Sequence, residues 1–216
     1  MHKEPDTKTS YSAGELAILE AAETLFAQKG FAAVSMSAIA SLANTSKPNI
    51  YHHFKNKNDL YLAVMTTAVR RTSTLLDKLE VSPGTFSERL TEFSAGQLDN
   101  ILGHKRSTQL ILRETLTEDS EHGQEITRLV MGEVFSRLVA MVHQGQQEGE
   151  FRQNIDPTLA AFLIVSANMF FFQAFPAMQH IPEVDFSDDA SAYSKGIMDL
   201  LTNGMLQKGE INVAST

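Results

Sequence analysis

Residues 45–57, TSKPNIYHHFKNK, gather the groups whose types and spacing could do chemistry. Asn49 carries a carboxamide that can accept and donate together, the pairing that reads adenine. Lys47 can reach guanine or a phosphate. Thr45, Lys47, Pro48 and Asn49 fall on one leading turn. Tyr51, His53 and Lys57 follow on the flank and end, where their donors suit phosphate oxygens, contacts that fix register without reading sequence. Ile50 and Phe54, four apart, are the buried side of the same segment. A Tyr-His-His-Phe cluster alone is also what plain packing looks like, so the elements around it have to decide.

Those elements read at helical period almost throughout. Ile18, Ala21, Ala22 and Leu25 define a first helix from Ala13 to Lys29, which Gly30 stops. Ser35 caps a short helix over Met36–Ala43, and Asn44 can take the left-handed conformation that ends it. Ser46 caps a third helix, with Lys47 at its first position and Pro48 at its second, where a missing N–H costs little. Two short helices joined by a tight turn make a helix-turn-helix, whose second member presents its first turn to the major groove. Ser35, at an exposed helix start, is both a cap and a candidate phosphate contact.

The net charge of −8 looks wrong for a nucleic-acid binder, but its distribution is uneven. Residues 1–60 hold six Lys against six acidic residues. The remainder holds twelve basic and twenty acidic residues and carries the whole −8. Any DNA contact therefore belongs to the N-terminal module. The chain has no Cys, no glycine-rich phosphate loop and no HExxH, and His104, His122, His143 and His180 are scattered without metal-ligand spacing. An enzyme is not expected, and no cofactor or metal is called for. MHKEPDTKTSYSAG has no apolar core and is not read as a signal peptide, so a cytoplasmic protein is expected.

Longer helices follow over Asn58–Glu80, 85–102, 106–118, 123–148, 157–175 and 187–207. Asp156-Pro157 is a cap and first-turn proline for the most apolar of them. A membrane-spanning role for that segment is possible on length, but Ser166, Asn168 and Gln173 interrupt it, and no membrane partner is expected. Leu159, Phe162, Leu163, Met169 and Phe170 take one side of it; Ile164, Val165, Phe171, Phe172 and Phe175 take the other. A helix apolar all round must be buried all round, as between its own core and a second copy. Phe162, Val165 and Phe172, with Tyr193, Ile197, Leu200, Leu201 and Gly204 of the last helix, form the expected homodimer interface. A larger monomeric core is the other way to bury them.

The run AILEAAETLFAQKGFAAVSMSAIASLANTSKPNIYHHFKNKNDLYLAV resembles the N-terminal domain of the TetR/AcrR family of transcriptional regulators over residues 15–64. LFAQKGF, SMSAIA and IYHHFKNKNDL are its most specific parts. Asn44 stands where the family often has Gly. The resemblance implies an all-α fold: an N-terminal three-helix DNA-binding domain joined to a larger C-terminal helical domain for ligand binding and dimerisation. It also implies a homodimer, a double-stranded DNA operator, a small-molecule effector that alters the spacing of two DNA-reading heads, and repression as the commoner mode. The divisions expected are a loose arm over 1–12, the helix-turn-helix domain over 13–57 and the effector and dimerisation domain over 58–216.

For the effector, the surplus of adaptable side chains nominates Met131, Phe135, Met169, Phe170, Phe171 and Phe175. Asn168 and Gln173 would orient an apolar or aromatic ligand, and Arg113 would pair with an anionic group. The same stripe at the same spacing also describes an ordinary core. A DNA-binding regulator with no effector, or an activator, remains the alternative.

Overall fold

A computed structural model describes residues 11–116, 127–128, 132–184 and 189–206 of the chain. The described residues form nine α-helices, with no strand among them: α1 (Ala13–Ala33), α2 (Met36–Leu42), α3 (Lys47–His53), α4 (Lys57–Glu80), α5 (Phe86–Gly103), α6 (Lys105–Leu116), α7 (Gly132–Gln147), α8 (Pro157–Met178) and α9 (Ala190–Met205). The all-α class expected from the period of the sequence is what the chain adopts. Most of the arm over 1–12, and the helical turns expected before Gly132 in the 123–148 helix, lie outside the described residues.

The chain divides into two compact units. The first takes residues 1–68 and 106–126, the second 69–105 and 127–216. This is not a cut at residue 57. The first unit also takes in the start of α4 and nearly all of α6, because Tyr61 and Glu114 face each other inside it.

In the first unit, Ser12 caps α1 through a capping box with Glu15. Ile18, Ala22, Phe26, Ile39, Ile50 and Leu60 are buried to 1% exposure or less, so α1 to α4 share one small core. Phe26, Phe31 and Tyr61 add an aromatic cluster, with Tyr61 edge-on to Phe26 at 4.9 Å and to Phe31 at 5.0 Å.

In the second unit, α8 packs against α5, α7 and α9. Leu76 and Leu79 of α4, Leu90 and Phe93 of α5, Leu138 and Val142 of α7, and Ala161 and Ile164 of α8 close the core. Leu76 takes the buried position, while Leu75 packs at the core's edge. Asp156 accepts from Thr158 and Leu159 N–H and starts α8 as expected. The loop before it is pinned by Gln146, whose Nε2 donates to the carbonyls of Arg152 and Ile155. Phe151 and Leu206 form an isolated bridge, with Arg152 N–H donating to the Met205 carbonyl at 2.8 Å.

Gly145 sits where α7 meets this loop. A Cβ there would run into the buried Phe151 ring and lie 3.2 Å from the Phe86 Cβ. Gly145→Ala is expected to lower stability by about 1–3 kcal/mol. Urea denaturation reads this as a lower midpoint at unchanged m-value; an unchanged midpoint would mean the loop yields without cost.

Candidate functional site

The turn between α2 and α3 is closed by backbone hydrogen bonds. Thr45 N–H donates to the Ala40 carbonyl at 2.9 Å, and Asn44 N–H to the Ser41 carbonyl at 3.3 Å, the paired bonds of a Schellman motif. That motif needs a left-handed residue, and Asn44 supplies it at φ 49°. Ser35 Oγ accepts from Ala38 N–H at 3.1 Å and Ser46 Oγ from Asn49 N–H at 3.2 Å, so both short helices begin on a serine cap.

Only Ile50 of α3 is buried, and Phe54 just beyond it. Lys47, Pro48, Asn49 and Tyr51 are exposed, and Thr45 is half-buried beside them. Asn49 Nδ2 donates to Thr45 Oγ1 at 2.9 Å, which orients the amide. Its Oδ1 and second Nδ2 hydrogen still offer the acceptor and donor that an adenine edge requires. The Lys47 ammonium lies 5.9 Å from the centre of the exposed Tyr51 ring, at the outer limit of a cation–π contact.

Three residues assigned to ligands turn out to hold the unit together. The Lys57 ammonium donates to the carbonyls of Phe31 at 2.8 Å and Val34 at 3.0 Å, and lies 4.2 Å from the Phe31 ring centre. The exposed phosphate donor expected from the sequence is thus engaged with the end of α1. His53, also expected to face phosphate, places Nδ1 3.3 Å from the Glu15 carboxylate. Arg113, expected to meet an anionic effector, donates instead to the Phe26 and Ala27 carbonyls at 3.3 and 3.2 Å. Next to it, Tyr61 Oη donates to Glu114 Oε1 at 2.6 Å. Burial first, and then the Glu114 carboxylate, hold the Tyr61 phenol well above its ordinary range, so it remains a donor.

The other effector candidates scatter. Asn168 is wholly buried, and its amide is spent on Ser94 and Gln97 of α5. Phe170 is 62% exposed, and Gln173 is exposed as well. Phe135 packs on the core cluster. Phe171 is buried, stacked near Tyr193 at 4.3 Å and Phe175 at 5.4 Å, and Met169 is half-buried. Met131 lies outside the described residues.

Among the expected interface residues, Phe162 and Leu200 are 57% and 73% exposed, and Gly204 is exposed. Ile197 and Phe172 are half-buried. Val165 and Leu201 pack on the chain's own core, and Tyr193 donates its hydroxyl to the Ala167 carbonyl at 2.7 Å. Leu159, Leu163 and Phe170 join Phe162 on one exposed apolar face of α8. That helix is long and apolar enough to cross a membrane, but its opposite face is buried among α5, α7 and α9.

Sequence reasoning missed Glu15, Tyr61, Gln97 and Glu114. Tyr61, Gln97 and Glu114 are defined by partners distant in the chain, and no local pattern announces them; Glu15 was there to be read from the Ser12-x-x-Glu15 capping box, though its His53 partner was not.

Comparison with known proteins gives two family matches. Residues 18–64 match the model described as bacterial regulatory proteins, tetR family, and residues 87–197 the tetracycline repressor-like C-terminal domain. The chain is 30% identical over 152 residues to the uncharacterized HTH-type transcriptional regulator YhgD of Bacillus subtilis, covering 68% of this chain and 76% of that protein. It is 25% identical over 173 residues to the HTH-type transcriptional repressor NicS of Pseudomonas putida, covering 79% and 81%. In structure it is similar to the fatty acid degradation regulator FadR of Bacillus halodurans, with TM-score 0.73 and 18% identity over 91% of this chain and 98% of that one.

Removing the Lys57 ammonium leaves the Phe31 and Val34 carbonyls without their donor. Lys57→Ala is therefore expected to cost about 1–3 kcal/mol of stability. Thermal and urea denaturation check it; an unchanged stability would return Lys57 to the list of solvent-facing phosphate donors.

Proposed function

The chain belongs to the TetR family of bacterial regulatory proteins, and on that premise we propose that it is a repressor that binds a pseudo-palindromic operator as a homodimer and leaves it when a small apolar or aromatic molecule binds. It is a DNA-binding transcriptional regulator and not an enzyme. The observation that carries the reading is the leading turn of α3. Lys47, Pro48, Asn49 and Tyr51 face outward from a helix that buries only Ile50, while Ser46 and the Asn44 turn hold it in place.

In this reading Asn49, Lys47 and Thr45 meet base edges, Pro48 packs against them, and Tyr51 binds phosphate. Ser35, with the start of α2, adds a backbone-donor phosphate contact. The repressor NicS supports repression as the mode. The second copy covers the exposed face of α8, Leu159, Phe162, Leu163 and Phe170, with Ile197 and Leu200 of α9. Exposed apolar area of this kind marks an interface, and two such helices from each copy close an isologous four-helix contact. The two heads then meet half-sites about 34 Å apart or a multiple of that. The effector works by favouring a conformation with a different head spacing, and it shifts the equilibrium only by its differential affinity for the two states. Such a protein acts in the cytoplasm, where the DNA is.

Selection of random duplex DNA on the purified chain tests this, with an enriched inverted repeat as the expected result and no enrichment as the result that sinks it. On the selected duplex, Lys47→Ala should reduce the slope of log affinity against log salt by about one unit. Asn49→Ala should cost about 1–3 kcal/mol and relax one position of the half-site. Phe162→Glu should yield a folded monomer in sedimentation equilibrium that no longer retains the full inverted repeat; a dimer that persists would place the interface elsewhere.

A further inference from the structure

Thr45 and Asn49 are joined side chain to side chain, with Asn49 Nδ2 donating to Thr45 Oγ1 at 2.9 Å. Both ends of that bond stand on anchored backbone. The Thr45 N–H donates to the Ala40 carbonyl at 2.9 Å, inside the turn that Asn44 closes. The Asn49 N–H donates to the Ser46 cap at 3.2 Å. Threonine is branched at Cβ, so its χ1 is restricted and its hydroxyl has few places to go. The amide of an unattached asparagine turns about χ2 in a broad, two-fold well and offers either end outward. The bond to Thr45 removes that freedom before any DNA arrives.

The orientation has chemical content. A primary amide carries one acceptor oxygen and two N–H hydrogens. With one hydrogen on Thr45, the oxygen and the other hydrogen remain, and they match the N6 donor and N7 acceptor of adenine. Turned over, the amide would set its oxygen against the Thr45 hydroxyl and present hydrogens only, which suits the paired acceptors of guanine. Asn49 is exposed, so in the free protein water also serves its amide. Against a base edge that water leaves, and a donor left without an acceptor is costly. Thr45 Oγ1 is the acceptor that stays.

We propose that Thr45 is the positioning residue that makes Asn49 an adenine reader: its hydroxyl holds the Asn49 amide with the oxygen and one N–H free, and takes the hydrogen that the base does not use. This rests on the operator-binding reading above and assigns a base to one of its contacts. The γ-methyl of Thr45 keeps its own approach to a base edge, and the hydroxyl acts through Asn49.

The test uses the full chain and the selected duplex. The base pair that Asn49→Ala relaxes is changed to each of the other three in both half-sites, and affinities are read by fluorescence anisotropy at one fixed salt concentration. The native chain is expected to prefer adenine there by about tenfold or more. Thr45→Val keeps the branched shape and deletes the hydroxyl; it should cut that preference by about three- to tenfold. Preferences at the other positions and the salt slope should stay native. Thr45→Ser restores the hydroxyl and should restore most of the preference. In the Asn49→Ala background, adding Thr45→Val should change nothing more at that position, as for a residue that acts through another. With the native chain alone, 7-deazaadenine at that position removes the acceptor for the free N–H and should weaken binding by about tenfold. Circular dichroism melting checks that each variant is folded. An adenine preference that Thr45→Val leaves untouched, or a Thr45→Val effect that persists in full without Asn49, would overturn the positioning role and leave the operator reading standing. Guanine as the preferred base, or indifference to 7-deazaadenine, would overturn the orientation of the amide. Preferences lost at every position together would mean a disturbed turn and overturn the proposal too. Failure of the selection to enrich any repeat would overturn the operator reading, and this proposal with it.

Discussion

Gly30 turns the backbone to φ 79° near the end of α1, and the carbonyls around that turn need donors that α1 cannot supply. The last carbonyls of any helix are without partners within it, and they carry the negative end of its dipole. Here two cations from outside the helix meet them. Arg113 of α6 takes Phe26 and Ala27; Lys57, at the first position of α4, takes Phe31 and Val34. At the other end of α1, Glu15 holds both the Ser12 cap and the His53 ring. The first helix, which touches no candidate base contact, is thus the frame from which α3, α4 and α6 are hung within their unit.

The same logic explains which parts of the site were legible in the sequence. Ser35, Ser46, Pro48 and Asn44 act on backbone groups within four or five residues, so their types and positions announce the caps and the left-handed turn directly. The outward set of α3 follows from Ile50 and Phe54 by helical period alone. The intramolecular partners of Lys57, His53 and Arg113 were not legible, because a polar side chain on a motif says only that it will bind something, and these partners lie tens of residues away. Gln97 was invisible for the same reason: its meaning depends on Asn168, and that of Asn168 on a backbone carbonyl of α5. The apolar run of α8 gave its two faces correctly. It did not tell which face the chain itself would bury, because Phe170 and Phe171 look alike until α5 and α9 choose between them.

In the first unit, Glu15, Lys57 and Arg113 pair with backbone groups at the two ends of α1, where charge of the matching sign is favourable. In the second, a neutral network of serine, asparagine and glutamine sits in the core between three helices. Such a network fixes the register of α5, α8 and α9 against one another, since a slip by one residue would strand every member of it. The apolar area that this packing leaves on α8 faces outward in a single stripe.

The division of labour inside α3 has an evolutionary consequence. Its fold depends on Ile50, on Phe54 beyond it, on the Ser46 hydroxyl and on the turn at Asn44, none of which is a reading group. Lys47, Pro48, Asn49 and Tyr51 contribute almost nothing to the core. Mutations at those four positions are therefore close to neutral for stability, and on the reading proposed above the chain drifts from one operator sequence to another through folded intermediates. A gene duplicate could acquire a new target promoter while its frame and its interior remain untouched.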